Sequence, residues 1–212
     1  MKTIICIIFS IVIVGCAKAP EFNYNNDINS VVVICDQFGG HGTGWYIGDG
    51  LIVTAKHVVA NTNMTYYYVE KNTDGVQKNL EIVFKSEFLD FAVLRTKHEH
   101  NLTPVVLAQE NAKVGDSIFM IGHPQELTWA YSEGYVMQSE IVFTGRIGDY
   151  FKGEYMAMNI ARFGGSSGSC VWNSKGEVVG LLTAMLPDSN IAIGLSLNSI
   201  KLGFKEMENG KN

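Results

Sequence analysis

The chain has 212 residues, 47% of them apolar and 17% charged, with 22 glycines and a formal net charge of −5. That composition supplies a sizeable core for one large or two small domains, and it fits a β-rich globular protein better than a helical or a disordered one. No block of Lys or Arg stands out, so charge gives no case for nucleic acid as a partner.

In chain order, Lys2 is followed by an apolar run, Ile4 to Val14, broken only by Ser10. The run is too short to span a bilayer, which needs roughly 20 residues. A charged start, a short apolar stretch and small residues after it read as an export signal. The run ends in "IVGC", Ile13 to Cys16, which resembles a bacterial lipoprotein cleavage box. Residues 1–15 are therefore expected to be a signal peptide, with Cys16 lipidated as the new N-terminus; an ordinary secretion signal is the alternative. The expected location is the bacterial cell envelope, anchored to the membrane through lipid on Cys16, or else secreted or periplasmic. Residues 16–30 are polar and Asn-rich, and read as a tether. Cys35 and Cys170 could pair in an oxidising compartment or stay as two buried thiols.

Strand signals begin at "SVVVIC". "GWYIGDGLIVTA" is two apolar runs joined by Asp49-Gly50, a strong hairpin signal. "MTYYYVE" and "LEIVFK" flank a second hairpin candidate, and "FAVLRT" follows. Residues 101–112 contain Pro104 and read as a linker between halves spanning 31–100 and 113–212. The strand pattern resumes with "DSIFMIGH", "GYVMQSEIVF", "YMAMNIA", "SCVWN", "EVVGLLTAM" and "NIAIGLSL". Short strands between turn residues, with no long helical period, indicate an all-β sandwich or barrel. Only "NSIKLGFKEMENG" suggests a helix, at the end of the chain.

The glycine-serine stretch "RFGGSSGSCVW" raises the question of a nucleophile. A hydroxyl needs a base within hydrogen-bond reach, the base needs an orienting group, and acyl transfer needs N–H donors for the oxyanion. His57 is the base candidate because it stands just after an apolar strand run in "LIVTAKHVV", where a barrel strand can deliver a side chain to its rim. His98 and His100 sit in a polar segment, His41 in a glycine loop, and His123 ahead of a Pro. Asp90 is a lone acid between Leu89 and Phe91, where a carboxylate needs a partner. If the oxyanion donors are the N–H of the nucleophile and of the residue two before it, glycine suits the earlier position. That disfavours Ser169, which has Ser167 there; a following glycine then separates Ser167, which has Gly168, from Ser166.

At this point a resemblance becomes specific. "GSSGSCV" resembles the nucleophile segment of trypsin-like serine proteases, "TAKHVV" their histidine segment and "LDFAVLR" their aspartate segment, in the family's order. "GTGWYIGDGLIVTAKHV", "VGDSIFMIGHP", "GYV" and "GEVVGLLTA" are similar to the HtrA/DegP-like branch, so the likeness runs from about Val31 to Ser199. It implies two Greek-key β-barrels, an N-terminal one carrying His57 and Asp90 and a C-terminal one carrying Ser167, with the active site in the cleft between them.

The resemblance further implies a serine endopeptidase working on protein or peptide substrates without metal or cofactor. His57, Asp90 and Ser167 would be catalytic, with the N–H groups of Gly165 and Ser167 as the oxyanion hole. Thr183 would support Asp90. Ala161 falls at the family's pocket base, and with Arg162, Thr183, Ala184 and Met185 it would form the substrate pocket. With no acid at Ala161 a preference for Lys or Arg is not expected, and Leu182 stands where glutamate-specific relatives carry a His. A small or medium apolar side chain is expected in the pocket, whereas an inward Arg162 would favour an acidic one. Cys170 replaces the family's Pro and reads as a packing residue. The sequence ends at Asn212 with no PDZ segment, so a protease domain without one is expected. The competing expectation is an inactive pseudoprotease that acts as a membrane-anchored binding module.

Overall fold

A computed structural model describes residues 21–125, 127–144, 152–186, 189 and 191–210. The expected signal peptide over 1–15, and Cys16, lie outside the described residues. Six strands build the first barrel: β1 (Val31–Asp36), β2 (His41–Gly48), β3 (Leu51–Thr54), β4 (Tyr66–Val69), β5 (Lys78–Lys85) and β6 (Ala92–Arg95). They close in the order β1-β2-β3-β6-β5-β4, with every pairing antiparallel. The β2–β3 hairpin turns on Asp49 (φ 52°) and Gly50 (φ 72°), as the Asp-Gly signal predicts.

After β7 (Val106–Leu107), the second barrel uses β8 (Ser117–Gly122), β9 (Ala130–Ile141), β10 (Tyr155–Asn159), β11 (Cys170–Asn173), β12 (Glu177–Met185) and β13 (Ile191–Ser196). Their order is β11-β8-β9-β10-β13-β12, closed by β11–β12 pairing. Helix α1 (Tyr24–Asp27) precedes the first barrel and helix α2 (Leu197–Asn209) follows the second. No helix among the described residues is long and apolar enough to cross a membrane.

The apolar runs do not alternate with polar residues because both faces of these strands are covered. In β1, Val32 and Ile34 enter the first barrel's core, with Tyr46, Ile52, Tyr68 and Leu94. Val31 points the other way, into a seam with Trp45, Val53, Phe91 and Val93. The second barrel repeats this. Met120, Met158, Val171 and Leu182 fill its core, while Ile121, Tyr155, Trp172 and Leu181 enter the same seam. The barrels are therefore joined by a continuous apolar layer, and residues on its rim are held from both sides.

Two expected connections are more ordered than the sequence suggests. The tether read over 16–30 is docked from Phe22 onward. Phe22 stacks on Phe119 with centroids 4.8 Å apart and donates its N–H to Ser174 O, and Tyr24 Oη donates to Trp129 O. Aromatic side chains in a polar stretch supply that adhesion. The linker read over 101–112 contains β7, which pairs in parallel with β12, while Val105 N donates to Tyr46 O of the first barrel.

Candidate active site

His57 lies on a short 3-10 turn, Lys56–Val59, directly after β3. Its Nδ1 is 2.7 Å from Asp90 Oδ2, and its backbone N–H donates to Asp90 Oδ1 at 2.9 Å. A carboxylate only accepts, so Nδ1 carries the proton and Nε2 is left as the acceptor. Both oxygens of Asp90 are engaged by one residue, which fixes the ring's position and its tautomer together. The imidazole is about half exposed, so the pair opens to solvent on the side away from Asp90.

Asp90 is held by its neighbours rather than by a strand. Leu89 and Phe91 are buried in the seam, and Phe204 of α2 packs edge-on against Phe91 at 5.1 Å. The loop before Asp90 closes on itself: Ser86 N donates to Phe91 O, and Ser86 Oγ accepts from Leu89 N. Glu206 on α2 clamps this loop, accepting from Ser86 Oγ at 2.5 Å and from Glu87 N at 2.8 Å. Lys56 Nζ donates to Ser86 O, tying the histidine turn to the aspartate loop. Sequence reasoning missed Glu206 and Lys56, since each partner is distant in the chain or one of several lysines.

The serine turn lies between β10 and β11. Its three serines have different fates. Ser169 is fully buried and its Oγ donates to Ser166 O; Ser166 is fully buried and its Oγ accepts from Phe163 N. Ser167 alone is partly exposed, lining a cavity of about 140 Å³ with Arg162, Phe163, Gly164, Leu182, Ala184 and Met185. Gly165 and Gly168 flank it at φ 93° and 89°. A Cβ on Gly165 would overlap the His123 carbonyl oxygen and His41 Nε2, and one on Gly168 would overlap the Thr43 carbonyl oxygen. Among the described residues, the backbone N–H groups of Gly165 and Ser167 donate to nothing, whereas those of Ser166, Gly168 and Ser169 are all used.

Thr43 of β2 sets this turn against the first barrel. Its N–H donates to Ser167 O at 2.8 Å, its Oγ1 donates to Gly165 O at 2.9 Å, and the same Oγ1 accepts from His123 N. Gly42 beside it is the close-approach point. A Cβ there would stand 2.7 Å from Val58 Cγ1, next to His57, and 3.2 Å from Ser167 O. A second hollow, lined by Lys56, His57, Phe88, Leu89, Asp90, Thr183 and Ala184, adjoins the serine cavity through Ala184. The hollow that holds His57 and Asp90 and the cavity that holds Ser167 thus share Ala184 in their walls. His41, read from sequence as a loop residue, hydrogen-bonds His123 O beside Gly165. Burial holds the pKa of His123 down at about 3, so it is neutral and accepts from Trp129 N through Nδ1.

Two expected pocket residues are placed differently. Ala161 is exposed and does not line the serine cavity, because burial alternates past the end of β10, with Ile160 and Arg162 buried on either side of it. Thr183 faces the His57–Asp90 hollow instead, and its Oγ1 donates to Ile193 O rather than to Asp90. Cys35 and Cys170 are both free; Cys170 is fully buried, and that burial pushes its thiol pKa well up. No cluster of His, Cys, Asp or Glu suited to a metal is present among the described residues.

Two packed six-stranded barrels, the first carrying a His–Asp pair and the second a glycine-flanked serine turn, define the double-barrel class of peptidase folds. The chain belongs to the trypsin-like peptidase domain family, whose model matches residues 42–181. It is 32% identical over 158 residues to a probable periplasmic serine endoprotease DegP-like of Rhizobium meliloti, covering 73% of this chain and 30% of that protein. It is 31% identical over 153 residues to the periplasmic serine endoprotease DegP of Salmonella typhimurium, covering 71% and 31%. The chain thus spans about a third of the length of these curated relatives. In fold it is similar to the active form of the Rv3671c protease from M. tuberculosis, with a TM-score of 0.75 and 21% identity, covering 89% of this chain and 88% of that one.

Proposed function

We propose that the chain is a serine endopeptidase in which Ser167, His57 and Asp90 act as a triad. The observation that carries this is the 2.7 Å Nδ1–H···Oδ2 pair, which leaves His57 Nε2 as a base on the rim where Ser167 is the only serine of its turn with open access. In this reading Ser167 Oγ attacks the scissile carbonyl as its proton passes to Nε2, and the imidazolium is stabilised by Asp90. The oxyanion forms opposite the unused N–H groups of Gly165 and Ser167. The C–N bond breaks as Nε2–H protonates the leaving amine, giving an acyl-Ser167 ester. Water then attacks the ester, giving its proton to Nε2, and Ser167 Oγ takes that proton back as the acid leaves. Leu182, Ala184 and Met185 line the cavity beside Ser167 and suit the aliphatic part of a small or medium side chain.

The experiment is labelling with a fluorophosphonate and mapping of the modified peptide. Label on Ser167, lost with casein cleavage in Ser167→Ala, is the expected result. Label that survives that change sinks the assignment, and a folded chain that never labels supports the binding-module alternative.

The apolar run from Ile4 to Val14 and the "IVGC" box support export with lipidation of Cys16, placing the domain on the envelope membrane. Metabolic incorporation of a fatty-acid probe that vanishes in Cys16→Ser tests this. Unaltered incorporation in the variant overturns it.

A further inference from the structure

Among the apolar side chains of Phe163, Leu182, Ala184 and Met185 that line the cavity beside Ser167, the one charged residue is Arg162. This side chain is only 9% exposed, yet no carboxylate pairs with it among the described residues. Its Nη2 donates to Ser189 O at 2.8 Å and to Ile191 O at 3.3 Å. Its Nε is shut off from solvent and has no partner. The two carbonyl bonds hold the guanidinium on the cavity wall, but carbonyls carry no net charge to balance it. A buried cation with spare N–H groups is costly alone and is relieved by a carboxylate. Because Nη2 already donates to two carbonyls and Nε is closed off, Nη1 is the group left, among the described residues, to donate to a carboxylate.

We propose that Arg162 makes this cavity select an acidic side chain, glutamate or aspartate, on the acyl side (P1) of the bond that Ser167 attacks. The proposal rests on the endopeptidase reading and gives it a substrate class. The aliphatic stem packs on Leu182, Ala184 and Met185, and the carboxylate meets Arg162 at the wall. The apolar lining and the charge therefore recognise two parts of one side chain. A neutral side chain of the same length leaves the guanidinium unpaired, and a lysine or arginine adds a second cation. Acidic selection is the alternative that an inward Arg162 leaves open beside the small apolar preference, and Arg162 does line the cavity.

The test is a set of fluorogenic peptides identical except at P1, carrying Glu, Asp, Gln, Ala, Val or Lys. The acidic peptides are expected to exceed the Gln peptide in kcat/KM by about tenfold or more, as a site built to pair with a polar group discriminates strongly against its absence. Arg162→Gln is expected to erase or invert the Glu-over-Gln ratio, and Arg162→Lys to keep part of it, with circular dichroism confirming that each variant is folded. A wild-type chain that cuts after Ala or Val as well as after Glu overturns the proposal, and so does a Glu preference that survives in Arg162→Gln. Fluorophosphonate labelling of the wild type separates the two readings. A chain that labels but ignores the P1 charge refutes the role of Arg162 alone. A chain that neither labels nor cuts any peptide refutes the endopeptidase reading and this proposal with it.

Discussion

Replacing Glu206 with alanine removes the only contact between the last helix and the loop that sets Asp90 in which a carboxylate accepts from both a side chain and a backbone N–H. The lost bonds are Ser86 Oγ–H to Oε2 at 2.5 Å and Glu87 N–H to Oε1 at 2.8 Å. A hydrogen bond to a charged group contributes about 1.5–3 kcal/mol when buried. Glu206 is half-buried and Glu87 is exposed, so solvent replaces part of the second bond, and about 2–3 kcal/mol for the pair is the working figure. For a domain of this size that lowers Tm by roughly 5–10 °C. The loop also loses its outer support, so Asp90 holds His57 less firmly and kcat falls while KM changes little. Glu206→Gln keeps an acceptor and recovers part of both effects. Differential scanning calorimetry and peptidase kinetics on the two variants give the readout. An unchanged Tm in Glu206→Ala would refute the clamp, and a rise in KM at constant kcat would refute its link to Asp90.

Other outcomes follow from the same geometry. Asp90→Asn places an amide where the carboxylate accepts from Nδ1–H and is expected to lower kcat by about 10³–10⁴ without loss of fold, read by the rate of fluorophosphonate labelling; a near-normal rate would dismiss the pairing as structural only. Gly165→Ala must fit a Cβ against the His123 carbonyl at φ 93°, so kcat is expected to drop by about 10²–10³ as the turn shifts; full activity would separate this N–H from the oxyanion. His123 titrates near 3 when folded, against about 6.5 unfolded, so its neutral form stabilises the fold above pH ~6.5, and that stability is lost as pH falls toward 3. By pH 5 about 2 kcal/mol is gone, which urea midpoints at pH 7.5 and 5 reveal as a steeper loss than in His123→Gln; equal losses would contradict it. Cys170, fully buried with its thiol pKa pushed up, is expected to resist Ellman's reagent until urea unfolds the chain; fast modification of the native protein would count against that burial.

The strands were legible in the sequence because each is a short β-branched or aromatic run between turn residues, and Asp49-Gly50 announced its hairpin outright. What periodicity could not show is that these runs serve two layers. "VVVI", "LIVT" and "FAVL" read as uniformly apolar because alternate residues enter a barrel core and the seam, and only the second barrel's presence makes the seam face dry. The His57–Asp90 pair was legible by resemblance, and by the oddity of a lone acid between Leu89 and Phe91. The pocket was less so. Counting from Ser167 placed Ala161 in it, but burial alternates over Ile160, Ala161 and Arg162, so the next residue, Arg162, lines the wall instead.

The parts hidden from sequence share one physical character: they are long-range polar contacts to backbone or loop atoms. Thr43 illustrates it. In sequence it is one threonine in a glycine-flanked strand, yet its N–H and Oγ1 hold the serine turn, at Ser167 O and Gly165 O, while its carbonyl accepts from Thr54 Oγ1 of β3. No period or composition reports the two contacts to the serine turn, because their partner atoms are backbone carbonyls that every residue type carries. The consequence is a division of labour between the barrels. The second barrel supplies the serine turn, but β2 of the first fixes its height through two bonds from Thr43; the first supplies Asp90, but α2, which follows the second barrel, fixes its loop through Glu206. Each half therefore carries groups of the candidate site that the other half positions, so shifting the barrels along their shared apolar seam would disturb the serine turn and the aspartate loop together.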